Sequence, residues 1–423
     1  MRFIHFGCWN ESGYKIKFKK TEKTNSSKDV QGSLSALTYT LDELKKYIKS
    51  NKTNFIIIAG DNYYKSIKDL SNNDDENYKY FKSGFDGLPK SIKKYLIFGN
   101  HDINDQIKLT KPLKRLGDTN HIRPLKDKLY PNLEDIKTTN CKILNLQQQY
   151  GDNLKQKYTV FNDILFHEYN LTLIIMLDSN ILNKFNKEKQ DIGCYKYLFD
   201  SFKKTNSTTI NELILHQINS IIKLIESKKH IQNFIFVGHH PILACKNTSE
   251  NKFIVVKNEG LVNLFTNQQL HSLINNKNIF YLCADVHLYQ YGLVTVNSLN
   301  IKQYIVGTGG AHLDNYKANE KEFKNIYGNQ GLNYKVLENY NNIYGFLVID
   351  INTIDSNDII SFKFNPSINI NKISRSTKEV KNTTENTYLN ILQGGCKSIP
   401  EGLQPSASGN FSSTNIEYID IKK

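Results

Sequence analysis

The sequence predicts an α/β fold, and three observations carry that reading. Short apolar, β-branched runs recur along the chain, each bounded by Gly, Asn or Asp. Amphipathic helical stretches alternate with them, which is the pattern of a layered α/β domain. Clusters of polar donor residues follow directly on the runs, where the carboxyl edge of an open sheet gathers its ligands.

The runs are residues 3–6, 55–59, 95–98, 173–177, 234–237, 279–283 and 304–306, all too short for helices. Residues 346–351 and 359–364 read as two further strands. Between them, residues 35–49 place Leu37, Leu41, Leu44 and Ile48 on one stripe. Residues 210–228 do the same with Ile214, Ile218, Ile221 and Ile225, so both stretches are expected as helices with one buried face. Polar stretches at 19–33, about 103–165 and 312–335 read as loops or insertions. The domain is expected over residues 1–365. Residues 366–423 are Ser/Thr/Asn-rich with little periodicity and read as a flexible tail, or as an extension packed on the domain.

The chain has 423 residues and a formal charge of +14. The tail holds seven basic and five acidic residues, so nearly all of the excess lies upstream of it. It is spread as single lysines and pairs such as Lys19-Lys20 and Lys203-Lys204, the pattern of a solvated surface. A surface attracting anionic phosphate substrates is the functional alternative, and a nucleic-acid groove the lesser one. Six cysteines without a C-x-x-C pair read as reduced thiols. Met1 leads straight into the strand-like residues 2–6, leaving no room for a secretory signal, and no apolar run is long enough for a membrane span. An intracellular protein is expected. The Asn/Lys/Ile bias suits an AT-rich protist or a large DNA virus.

Two strand ends carry the densest chemistry. Gly60-Asp61-Asn62-Tyr63-Tyr64 follows the second run, and Gly99-Asn100-His101-Asp102 the third. Val237-Gly238-His239-His240-Pro241 and Tyr281-Leu282-Cys283-Ala284-Asp285-Val286-His287 follow later ones. Convergent O and N donors of this kind suit a pair of hard or borderline metal ions. In order and spacing these motifs resemble the calcineurin-like metallophosphoesterases, and specifically their purple (tartrate-resistant) acid phosphatase branch. The likeness covers about residues 1–350, with Leu177-Asp178-Ser179 and Gly307-Thr308-Gly309-Gly310-Ala311 as further landmarks.

The resemblance implies a sandwich of two mixed β-sheets flanked by α-helices, with a dimetal site at the strand ends. It implies two ions drawn from Fe, Zn or Mn, which would clamp a phosphate ester and activate water. Asp61 would bridge them. Tyr64 and His287 would hold one ion; Asn100, His239 and Asp285 the other. His101 would protonate the leaving alkoxide, oriented by Asp102 or a nearby group. Two positions depart from the family pattern. Cys8, placed in register by Trp9, stands where the family has an Asp ligand, and Asp285 stands where it has a His. Cys8 is then either a thiolate ligand or an inert buried thiol, and Asp285 a ligand or a loop residue. The implied activity is phosphomonoester hydrolysis on a phosphorylated small molecule or protein. A catalytically impaired scaffold that binds a protein partner is the alternative. A superfamily nuclease fits least, since Asn10 and Tyr64 occupy places where nucleases carry His and Asp.

Overall fold

A computed structural model describes residues 1–11, 16–20, 30–64, 76–102, 164–182, 210–247, 252–319, 321, 323 and 331–369. The expected insertion at 103–165 lies almost wholly outside these residues, and the expected tail does so beyond Asn369. Two mixed sheets pack face to face. The first has five strands: β1 (Arg2–Phe6), β4 (Phe55–Ala59), β5 (Lys93–Ile97), β15 (Ile343–Ile354) and β16 (Asn357–Asn369), in the order β16-β15-β1-β4-β5. The second has seven: β6 (Leu165–Tyr169), β7 (Thr172–Met176), β8 (Asn233–Val237), β11 (Asn278–Cys283), β12 (Tyr289–Val296), β13 (Leu299–Val306) and β14 (Leu332–Tyr340), in the order β14-β12-β13-β11-β8-β7-β6. Two hairpins stand apart, β2 (Ile16–Lys20) with β3 (Val30–Leu34), and β9 (Leu243–Asn247) with β10 (Phe253–Lys257).

Burial on both faces explains why the central strands read as unbroken apolar runs. In β8, Phe234 and Phe236 face the helical layer, while Ile235 and Val237 face the other sheet. In β11, Ile279, Tyr281 and Cys283 face the helices, and Phe280 and Leu282 the opposite way. Aromatic contacts knit the inter-sheet core: Tyr304 stacks on Phe362 at 4.3 Å, and Phe280 lies 5.1 Å from the same ring. Asp358, 1% exposed, clasps the sheets at one edge, accepting the Leu171 N–H at 2.9 Å and the Thr172 hydroxyl at 2.7 Å.

Helices cover the outer faces. In α1 (Ala36–Ser50), Leu37, Leu41 and Leu44 are buried, and Tyr47 meets Phe346 edge-on at 5.8 Å. Ser35 is its N-cap, accepting the Thr38 N–H at 3.4 Å, which fixes the helix start within a residue of expectation. The other described helices are α2 (Glu76–Asp86), α3 (Ser179–Leu182), α4 (Ile210–Glu226), α5 (Glu259–Thr266) and α6 (Gln268–Ile274). All four isoleucines of the α4 stripe are buried.

The polar stretches correct in part. β2 and β3 reach into residues 19–33, and β14 begins inside 312–335. β16 also runs on past residue 365, ending at Asn369. No helix among the described residues is long and apolar enough to cross a membrane.

Topology places the site. β1, β4 and β5 are mutually parallel, as are β7, β8, β11 and β13. Their carboxyl ends gather the loops that carry Cys8, Asp61, Asn100, His239, Asp285 and His287.

Next to this edge, β1 buries His5 completely. Its Nε2 meets the Cys283 carbonyl at 3.1 Å, and its Nδ1 has no partner among the described residues. Burial pushes its pKa down to about 4, from the usual 6.5. The unfolded chain therefore binds more protons between those values, so this stability is complete above about pH 6.5 and is lost as pH falls through about 4. On the order of 3 kcal/mol is at stake. Denaturant midpoints should drop across this window, and His5→Gln should flatten the drop. An unchanged pH profile in the variant would contradict the assignment.

Candidate metal centre

Three donor residues here adopt a backbone conformation that side chains seldom take. Cys8, Asp61 and Asp285 have φ of 51°, 51° and 55°. Left-handed backbone costs a non-glycine residue roughly 1–2 kcal/mol. Among the described residues the other non-glycine cases are Asn170, Asn297, Asn342, Asp355 and Ser356. Asn and Asp tolerate the conformation through local bonds, Asp61 and Asp285 included, so Cys8 is the donor that bears the cost. At the strand ends the conformation turns the Cys8 and Asp61 side chains toward each other. Hydrogen bonds hold it there, from Cys8 N to the Gly60 carbonyl at 3.0 Å and from Ala311 N to the Cys8 carbonyl at 3.0 Å.

Asp61 is 1% exposed. Its Oδ1 accepts the His101 backbone N–H at 3.0 Å and lies 3.3 Å from His239 Nε2; its Oδ2 faces the Cys8 Sγ at 3.9 Å. His239 is fully buried and donates from Nδ1 to the Ala59 carbonyl at 2.7 Å. Its Nε2 thereby points at Asn100 Oδ1, 2.9 Å away, and at Asp285 Oδ1, 3.5 Å away. His287 is built the same way: Nδ1 donates to the His312 carbonyl at 2.7 Å, leaving Nε2 3.2 Å from the Tyr64 hydroxyl. An imidazole anchored at Nδ1 by a carbonyl, with Nε2 aimed inward, is the orientation metal-binding histidines adopt.

Charge is dense and buried. Burial disfavours the His239 imidazolium, but the Asp61 and Asp285 carboxylates outweigh it and raise its pKa to about 9. Burial also disfavours the Asp285 carboxylate, yet the hydrogen bond to His239 and the neighbouring imidazoles hold it well below the usual range. Burial pushes the Cys8 thiol and the Tyr64 phenol well up, with Asp61 adding to both.

Supporting residues complete the frame. Asp102, fully buried, accepts the backbone N–H of Gly99 at 2.7 Å, of Asn62 at 3.0 Å and of Tyr63 at 3.2 Å, and the Asn62 amide at 3.1 Å. These bonds tie the loop after β4 to the loop after β5, so its carboxyl locks both in place. Trp9 Nε1 donates to Asn62 Oδ1 at 3.1 Å, adding the loop after β1. His101 sits half-buried at the mouth, its ring 4.7 Å from that of Tyr64. Ser179 accepts the N–H groups of both His239 and His240 at 3.0 Å. Its own hydroxyl proton is then directed to His240 Nδ1, also at 3.0 Å, which leaves His240 with its proton on Nε2. Asp314 accepts the His287 N–H at 2.9 Å, and Glu11 holds His312 at the rim. Asp314 and Glu11 carry no motif of their own, and only the folded chain reveals them. Ser179 lay within a landmark with no role attached.

A sequence profile of the calcineurin-like phosphoesterases matches residues 1–289, about two-thirds of the chain. The chain belongs to the calcineurin-like phosphoesterase family. Its members are metal-dependent phosphoester hydrolases. No curated protein matches the sequence. Among solved structures, GAP50, the anchor in the inner membrane complex of Plasmodium, aligns over 87% of this chain and 84% of its own at 14% identity and TM-score 0.43. PhoD aligns over 87% and 70% at 10% identity and TM-score 0.43. The Haemophilus influenzae NAD nucleotidase NadN aligns over 86% and 49% at 10% identity and TM-score 0.35. All three are distant, and the family assignment rests on the profile.

The donor set of this phosphoesterase fits metal ions. Neighbouring O and N donors of a tetrahedral ion lie about 3.3–3.6 Å apart when its bonds are about 2.0–2.2 Å long. His239 Nε2 stands at 3.3 Å from Asp61 Oδ1 and 3.5 Å from Asp285 Oδ1. Cys8, Asp61 and His239 form one group whose ligand atoms lie mutually within 4.8 Å, and His239, His240 and Asp285 form another. His240 stands in this second group, but with Nδ1 accepting from Ser179 and the proton on Nε2 it offers no free lone pair to an ion.

Proposed function

We propose that this phosphoesterase is an acid-phosphatase-like phosphomonoesterase acting through a two-ion centre. The observation that supports it most is the placement of Asp61, whose two oxygens face opposite halves of the donor set. Oδ1 looks toward His239, with Asn100 and Asp285 beyond it, and Oδ2 toward Cys8. One carboxylate shared between two ions needs that disposition. Tyr64 and His287 belong to the Cys8 half, meeting at 3.2 Å. Iron, zinc or manganese would fit the mixed O, N and S donors. When bound, the ions supply Lewis-acid polarisation of the phosphoester and a nucleophile from water near neutral pH.

The chain's own residues do the rest. His239 and His287 are held with Nε2 inward by carbonyls that cannot swing away. Asp102 acts as a positioning residue for the Asp61 and Asn100 loops. His101, at the mouth beside Tyr64, is the proton donor to the leaving alkoxide, with its loop fixed by the N–H bond to Asp61. A phosphorylated small molecule or protein side chain is the substrate class.

His101→Ala should lower kcat on an aryl phosphate by about 10²–10⁴, the range for loss of a general acid, with metal content and folding unchanged. A substrate whose leaving group needs no proton should be affected least. Full activity in the variant would show that the proton comes from elsewhere. The second reading, a scaffold that has lost catalysis and binds a protein partner, is favoured by the Cys8 and Asp285 replacements. A chain that takes up no metal and binds a stable protein partner would favour it.

A further inference from the structure

We infer that Cys8 is a metal ligand in its thiolate form, so that one half of the centre is a thiophilic, zinc-class site. The inference rests on the two-ion reading above and deepens it. Its starting point is the Asp61 carboxylate. That group is 1% exposed, and among the described residues the partner of its Oδ2 is the Cys8 thiol, a weak donor 3.9 Å away. A buried carboxylate oxygen left with so little satisfaction calls for a cation. The space it faces is bounded by the Cys8 sulfur and by Tyr64, with His287 beyond the phenol.

Tyr64 and the Asp285 backbone also hydrogen-bond the Cys8 sulfur, and the rest of its surroundings are small and apolar. Ala59, Ala284 and Ala311 pack around it, all fully buried. A thiol used only for packing could sit in relaxed backbone. Here the residue is held at φ 51°, and the side chain faces the carboxylate. A zinc–sulfur bond of about 2.3 Å and a zinc–oxygen bond of about 2.1 Å place the two donors about 3.6 Å apart in a tetrahedron, a few tenths less than the 3.9 Å observed.

Binding forms a metal–sulfur bond and releases the thiol proton to solvent, with no change of oxidation state. Thiolate selects zinc-like ions over manganese or magnesium. The second carboxylate of the set, Asp285, faces His239 Nε2 at 3.5 Å.

Cobalt(II) reads out each part separately. The full chain loaded with cobalt should show visible ligand-field bands together with a sulfur-to-cobalt charge-transfer band in the near ultraviolet. Cys8→Ser should lose the charge-transfer band and keep visible bands from the other half. Cys8→Asp, which keeps an anionic ligand should the serine variant fold poorly, should bind cobalt without the band and shift the zinc-over-manganese preference toward manganese. Visible bands with no charge-transfer band in the wild type, or a band that survives Cys8→Ser, would overturn the inference and leave the two-ion reading standing. No cobalt uptake at all would overturn both.

Discussion

Asp61→Asn is expected to abolish metal binding and hydrolysis while the chain still folds. The residue has a single position in which to serve both halves of the centre, and its oxygens already face His239 and Cys8. An amide keeps the shape and can still accept the His101 N–H, but it presents one oxygen, no charge and an N–H₂ group where a cation belongs. The expected result is a fall from about two bound ions per chain to fewer than one, and a loss of rate approaching the whole catalytic effect of the ions. The amide also removes one of the two carboxylates that raise the His239 pKa. Near-native circular dichroism with no metal would match the account; Asp61→Asn protein with full metal content and activity would not.

Gly99→Ala should damage the same centre without touching a ligand. A Cβ at position 99 would lie 2.2 Å from Asp61 Oδ1, 2.3 Å from the Asp61 backbone nitrogen and 2.8 Å from His239 Cε1. Two of those atoms belong to side chains locked by their own bonds, and one is backbone, so none can yield cheaply. Overpacking costs typically about 1–3 kcal/mol, and relief here would require moving Asp61 or His239 off its position. Loss of metal binding together with a lower unfolding midpoint is expected. Gly87→Ala is the milder comparison, because its nearest neighbour, at 2.9 Å, is a terminal methyl of the Leu41 side chain and its nearest backbone atom lies at 3.1 Å. If Gly99→Ala binds metal as the wild type does, the loop packing is softer than the geometry states.

Much of this was legible before the fold was known, and for identifiable reasons. The central strands are buried on both faces, so continuous runs such as Phe55-Ile-Ile-Ile-Ala59 announced themselves. The donors of the site follow those strands within a few residues, so strand ends and chemistry were read together. β12 escaped notice because polar and small residues interrupt it. Gln290 is fully buried there, donating to the Cys245 carbonyl at 3.3 Å and accepting from the Tyr334 hydroxyl at 2.7 Å. Gly292 sits at the register shift between β12 and β14. No local pattern reports a buried glutamine satisfied by partners distant in sequence.

The supporting residues were hidden for the same reason. Asp314 reaches His287 across 27 positions and Ser179 reaches His239 across 60. Asp102 illustrates how a motif can name a residue without fixing its task. Its place beside His101 suggested an orienting carboxyl, and folding also sets it under the backbone of residues 62, 63 and 99. The left-handed backbone at Cys8 and Asp285 has no signature in sequence at all.

Metal stoichiometry tests the central claim most directly. The full chain, expressed with iron, zinc and manganese supplied, would be weighed by native mass spectrometry and its metals identified, beside the Asp61→Ala variant. About two ions per chain in the wild type, lost in the variant, is the predicted result. A wild-type chain that carries none would contradict the two-ion phosphoesterase and leave the scaffold reading in its place.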